Sequence, residues 1–268
     1  MRKTDFRFLP RRKQLLYEQM ARLYRAQEPQ KHIDWVPFPE KMLDSKITLI
    51  SVAGAYLKNQ QPFTADENES DYEYREINAG FNKEDLLLFP IDWEQSEAKK
   101  DLNVVIPAER LILLQKEGLI GKIDDTIYSF SGYNSNRKLL TKSVDKLINT
   151  LKESQKSDAA SVIKNTGALI IPASALSSET ACLIASQMEA KGISTAVLSL
   201  FYEQALILSP PRCAFINFPF GRPLGKANHI TLHTAVLRDT LRLFEKAKSP
   251  GLLINLNFIW SFGTIPDW

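Results

Sequence analysis

The chain has 268 residues, 44% of them hydrophobic and 24% charged, with a net charge of +3. That balance allows a sizeable buried core and excludes collagen-like or largely disordered chains, while no apolar run reaches the ~18 residues of a membrane-spanning helix. Two cysteines without CxxC spacing, Cys182 and Cys213, exclude a disulfide framework, so a reduced cytoplasmic protein is expected.

Residues 1–31 hold nine Lys/Arg against three Asp/Glu, so this arm is basic and the remainder mildly acidic. No hydrophobic signal core precedes Pro10. Within the arm, Leu16, Met20, Leu23 and Tyr24 recur at helical spacing, which predicts an amphipathic helix over 11–27. The following "PQKHIDWVPFPEK" contains three prolines and is expected to be an extended strap. Residues 1–45 form the arm and strap, and 46–268 an α/β domain. A charged arm suits a protein partner, a membrane surface or nucleic acid, and a solvated extension is the plainer alternative. No nucleic-acid-binding module accompanies it, so nucleic acid is not expected.

The body opens with a buried strand, "KITLISVAG", then a polar excursion over 58–82 in which "YEYREI" is a short strand candidate. "EDLLLF" is another strand. "PAERLILLQKEGLIG" is a helix with Pro107 in its first turn and Gly118 as its stop. "DTIYSFSGY" is a strand, followed by an amphipathic helix from Arg137. Strand "GALIIP", helix 178–191, strand "STAVLSL", a short helix, strand "RCAFINF" and a last helix from Ile230 complete the alternation. Such alternation predicts a doubly wound, mostly parallel sheet with helices on both faces. Tyr128, Phe130, Phe215 and Phe218 are expected in the core. The tail with Trp260 and Trp268 is apolar enough to pack on the body or against another subunit.

Right-handed crossovers gather the loops at the carboxyl ends of the strands along one edge, where open α/β sheets bind ligands. Residues 53–62, 131–137, 172–178 and 219–229 are expected to meet there. Several stretches taken in order carry a resemblance: "LISVAGAYLKNQQPF", "YREI", "DLNVVIPAERLILLQKEGLIG", "YSFSGY", "GALIIPAS", "EAKGIST" and "PPRCAFINFPFGRPLGKAN". Over most of residues 46–260 they resemble the selenoprotein B family of glycine, betaine, sarcosine and D-proline reductases, particularly its short D-proline reductase-like members.

The resemblance implies a selenocysteine or cysteine on the strand-to-helix turn, a second cysteine three residues on, and often a histidine after it. It also implies a substrate activated as an imine, usually on the pyruvoyl group of a partner subunit. By position those residues fall on Ser174, Ser177 and Ser178, and a further family histidine falls near Pro90. Serine hydroxyls cannot run thiol or selenol redox chemistry. The expected role is therefore a non-redox binding or scaffolding subunit for a carboxylate-bearing ligand or a partner enzyme, with no cofactor.

Ser177 or Ser178 is expected to cap the helix, with Glu179 near its positive end and Ser174 before the cap facing the edge. Leu176 precedes Glu179 by three residues, which removes an S-x-x-E capping box. Arg222, Lys226, Asn228, His229, Tyr133 and Asn134 are the candidate ligand-binding residues. An enzyme of changed chemistry using Ser174, Glu179 and His229 is the alternative. His229 and His233 stand four apart, but lack a third metal ligand at fixed spacing; Glu179, Asp92 and Glu94 are only distant candidates, so no metal is expected.

Overall fold

Two strands show why the chain folds in layers. Every residue of Ser45–Val52 is buried, with Ile47 and Leu49 entering one hydrophobic core and Ile50 and Val52 the other. In Asn165–Pro172, Leu169 and Ile171 join the first core and Ala168 and Ile170 the second. Strands apolar on both faces need helices on both.

The computed structural model describes residues 3–38, 41–64, 71–89, 93–132, 134, 136–157 and 165–260. Helix α1 (Arg11–Arg25) precedes β1 (Ser45–Val52), β2 (Ala55–Leu57), β3 (Arg75–Asn78) and β4 (Leu86–Leu88). Then come α2 (Ser96–Lys100), α3 (Ala108–Lys116), β5 (Lys122–Ile123), β6 (Thr126–Ser129), α4 (Arg137–Ser157) and β7 (Asn165–Pro172). The last part comprises α5 (Ala175–Ala190), β8 (Ser194–Ser199), α6 (Tyr202–Leu208), β9 (Arg212–Phe215), α7 (Ile230–Leu241), α8 (Leu243–Lys246) and β10 (Leu252–Asn255).

The main sheet runs β10-β9-β8-β7-β1-β6-β3, with β5 also beside β1. All its pairings are parallel except β3 against β6. Helices α4 and α5 cover one face; α3, α7 and α8 cover the other. This is the doubly wound α/β architecture read from the alternation. Two details differ from the sequence reading. "EDLLLF" yields β4, which pairs with β2 in a separate antiparallel ribbon. The run at 252–255, which the sequence reading leaves unassigned, forms an edge strand, β10; it is only half-buried and shows no period-2 signal.

The arm is not an appendage. Tyr17 and Ala21 of α1 are buried, and Met20 and Tyr24 pack beside them. The expected apolar face is corrected here, because Leu16 and Leu23 stay more than half exposed at 54% and 60%. The surface beneath α1 presents Phe201 and Phe220, which take rings edge-on, so the tyrosines turn inward and the leucines remain outside.

The strap leads back to the opposite edge of the sheet, where one ion pair holds it. Arg212 and Glu189 are fully buried and 2.6 Å apart. Glu189 also accepts from the Val36 and Thr195 amides, and Arg212 donates to the Val36 carbonyl. Strap, α5, β8 and β9 therefore meet at one charge pair. Arg212→Met should cost about 3–5 kcal/mol in a urea unfolding curve, by leaving a buried carboxylate unpaired. Adding Glu189→Leu should recover part of that loss; a single variant as stable as the parent would contradict the role given to the pair.

Candidate functional site

Strands β1 and β7 are neighbours along eight residue pairs, from Ser45↔Asn165 to Val52↔Pro172. On one side of β1 lie β5, β6 and β3, and on the other the sheet proceeds from β7 to β10. The strand order reverses between β1 and β7, so their carboxyl ends flank the usual ligand crevice of such sheets. The serine turn follows β7 at this point.

The turn is a closed knot of hydrogen bonds. Ser174, not Ser177 or Ser178, is the N-cap of α5, and its Oγ accepts from the Ser177 amide at 3.1 Å. Ser177 Oγ returns the bond, accepting from the Ser174 amide at 2.6 Å and the Ala173 amide at 2.8 Å. A capping box is therefore present, three residues earlier than the expected helix start, with a serine hydroxyl serving where glutamate was sought. Ser178 Oγ donates to the Ser174 carbonyl at 2.7 Å and accepts from the Leu200 amide. Ser174 is 1% exposed and the other two are fully buried, so Ser174 does not face an open edge.

Three segments close the space above. Gly221 donates to the Ala173 carbonyl at 2.6 Å, and a Cβ on Gly221 would lie 2.0 Å from the Glu94 carbonyl oxygen. With φ at +89°, only glycine suits that position. Val104, Val105 and Ile106 are buried, and Ser51 Oγ donates to the Val105 carbonyl across the end of β1. The arm completes the cover: Phe6 stacks edge-on against Phe201 at 5.5 Å, and Tyr17 against Phe220 at 5.1 Å. Polar contacts fix it, with Thr4 Oγ1 donating to Glu203 at 2.7 Å and Arg25 paired to Glu203 at 2.6 Å.

The other candidates are held in structural contacts. Glu179 accepts from the Tyr24 hydroxyl at 3.0 Å and pairs with Arg137. Burial, reinforced by the Glu179 charge, pushes the Tyr24 phenol up to about 12. Arg222 pairs with Glu94 at 2.9 Å and lies over the Trp260 ring, as does Lys226. His229 caps α7, its Nδ1 accepting from the Leu232 amide. Asn134 is buried, with neither side-chain polar atom hydrogen-bonded among the described residues. Tyr133, Pro90, Asp92 and Trp268 lie outside the described residues. No group of three or more His, Cys, Asp or Glu suited to a metal ion occurs among the described residues. Both cysteines are fully buried, and desolvation pushes their thiols up.

A second polar cluster was not anticipated from the sequence. Asp101 accepts from the Asn103 amide and side chain, from Arg110 at 3.0 Å and from the Asn228 amide at 3.0 Å. Burial pulls the Asp101 carboxyl up, but these donors outweigh it and hold the group below its ordinary range. Glu97 accepts from the Ala227 amide at 2.7 Å. Two carboxylates thus anchor the loop carrying Lys226, Asn228 and His229. The Asp-x-Asn spacing was the only local hint, and its partners lie far off in sequence.

The chain is similar to a reductase subunit. D-proline reductase subunit gamma of Acetoanaerobium sticklandii is 20% identical over 224 residues, covering 84% of this chain and 88% of the relative. No family model matches the chain, and no solved structure matches it significantly. The similarity supports a distant relationship to that reductase family, and no helix of the described residues is long and apolar enough to cross a membrane.

His233 yields a pH-dependent test. It is fully buried, bonds through Nε2 to the Lys226 carbonyl at 2.8 Å and leaves Nδ1 3.9 Å from Asp101. Since a carbonyl only accepts, Nε2 carries the proton. Burial pushes its pKa below the ordinary 6.5, helped by Arg110 and His229, while the Lys226 bond and Asp101 pull the other way. The unfolded chain then binds this proton more readily, so stability is full above pH 6.5 and declines as pH falls through the window below it. His233→Gln should flatten the dependence of the urea midpoint between about pH 7 and 5. Equal slopes for parent and variant would show that His233 does not contribute.

Proposed function

We propose that this chain is a cytoplasmic, non-redox subunit of a reductase complex of the glycine, betaine, sarcosine and D-proline type, acting beside a partner that carries the reactive centre. One observation supports this above the others: the turn after β7, where the resemblance would put the family's redox residues, is a buried serine capping box without a thiol. Residues 46–268 act as the reductase-like unit and the arm as its cover. The similarity to a subunit of D-proline reductase favours work within an assembly. An enzyme of changed chemistry is less favoured, because Ser174, Glu179 and His229 are each engaged in separate structural bonds.

The outer side of α1 is the surface such a partner would meet. Leu15, Leu16 and Leu23 are more than half exposed there, among Arg11, Arg12, Lys13 and Arg22. Apolar side chains within a basic field suit an acidic partner surface with an apolar centre. Affinity purification from the native host with native mass spectrometry tests the assignment. A partner with a cysteine, selenocysteine or pyruvoyl centre should emerge in fixed stoichiometry, and Leu16→Asp with Leu23→Asp should release it without unfolding the chain. A chain that emerges alone and itself reduces D-proline would overturn the reading.

A further inference from the structure

Beside the β2–β4 ribbon lies a cavity of about 430 Å³, lined by none of the three serines of the turn. This falls within the range of small-molecule sites. Tyr56, Leu86 and Leu102 supply apolar lining, and Lys99, Lys100 and Arg110 supply positive charge. Asp101 and Asn228 also line it, so the cavity adjoins the polar cluster that anchors the 226–229 loop.

The charges of this lining are unequally matched. Asp101 already accepts four hydrogen bonds, one from Arg110, and has little capacity for another cation. Lys83 and Lys100 are paired with Glu109 and Glu97. Lys99 has no ion-pair partner among the described residues, and Glu84 is the lining's other carboxylate, on the exposed rim. Arg110 is only 7% exposed and pairs with Asp101 at 3.0 Å and Glu109 at 3.6 Å, yet its Nε has no acceptor. A buried guanidinium donor left without an acceptor is costly, and a ligand oxygen would relieve it. The apolar lining calls for a body without further charge.

We propose that this cavity binds a small aliphatic carboxylate, with its acid group at Lys99 and Arg110 and its chain against Tyr56, Leu86 and Leu102. The site is independent of the proposed subunit role, and it uses Asn228 but none of the serines. Occupancy would also stiffen the 226–229 loop, since Asp101 holds both Arg110 and the Asn228 amide.

Calorimetric titration of the full chain with hexanoate tests the site, with 1-hexylamine and inorganic phosphate as comparison probes and amide NMR to locate the response. Hexanoate should bind saturably and shift the amides of Leu86, Leu102 and Asn228, whereas hexylamine should not. Lys99→Ala, an exposed change, should weaken hexanoate by about tenfold, as expected for a lost charge-assisted contact. Leu102→Trp should abolish binding by filling the cavity, with its thermal unfolding checked against the parent. No saturable binding, equal binding of hexylamine, unchanged affinity in Lys99→Ala, or phosphate binding without hexanoate would each overturn the proposal.

Discussion

Phe6, Tyr17 and Tyr24 pack against Phe201 and Phe220 at the carboxyl ends of β8 and β9, with ring centroids between 5.1 and 6.4 Å apart. Each ring is a large apolar surface that gains most by leaving water, and edge-to-face contacts add geometric preference. These residues lie along the same carboxyl-end edge of the sheet as the β1–β7 crevice, beside the serine turn. The arm thus walls that edge from within the chain. Its polar pins, Thr4 and Arg25 on the buried Glu203, satisfy a carboxylate that would be costly to bury alone.

The serine turn has to be understood under that cover. A helix N-terminus open to solvent offers free amides to an anion. Here the Ser174 and Ser177 hydroxyls and backbone satisfy one another, while Gly221 and the 93–107 segment leave little space above them. A nucleophile in this position would need access and a nearby base. The turn has a strand-to-helix geometry, and its side chains are spent on holding that geometry. Charged and polar groups instead line the cavity by Asp101 and Arg110.

Much of the architecture was legible because it rests on local periodicity. The near-continuous apolar runs "KITLISV" and "GALIIP" report burial on both sheet faces, and α3 is bracketed by Pro107 and Gly118, whose φ is +73°. The failures share a cause. Of the face expected for α1, Met20 and Tyr24 do pack inward, but the surface beneath is aromatic and takes Tyr17 and Ala21 rather than Leu16 and Leu23. The cap of α5 was sought as serine and glutamate, while a second serine suffices. Asp101 looked like one more polar residue in "EAKKDLN"; its meaning comes from Arg110, Asn228 and His233, which only the fold assembles.

The covered crevice can be tested with one cysteine. Cys182 and Cys213 are fully buried, so the native parent should be silent to a small thiol reagent. Ser174→Cys should be equally silent in the folded protein and react only as fast as the chain unfolds, or once the arm is removed. Rapid stoichiometric labelling of folded, full-length Ser174→Cys would show that the turn is open, contradicting the account of the arm as its cover.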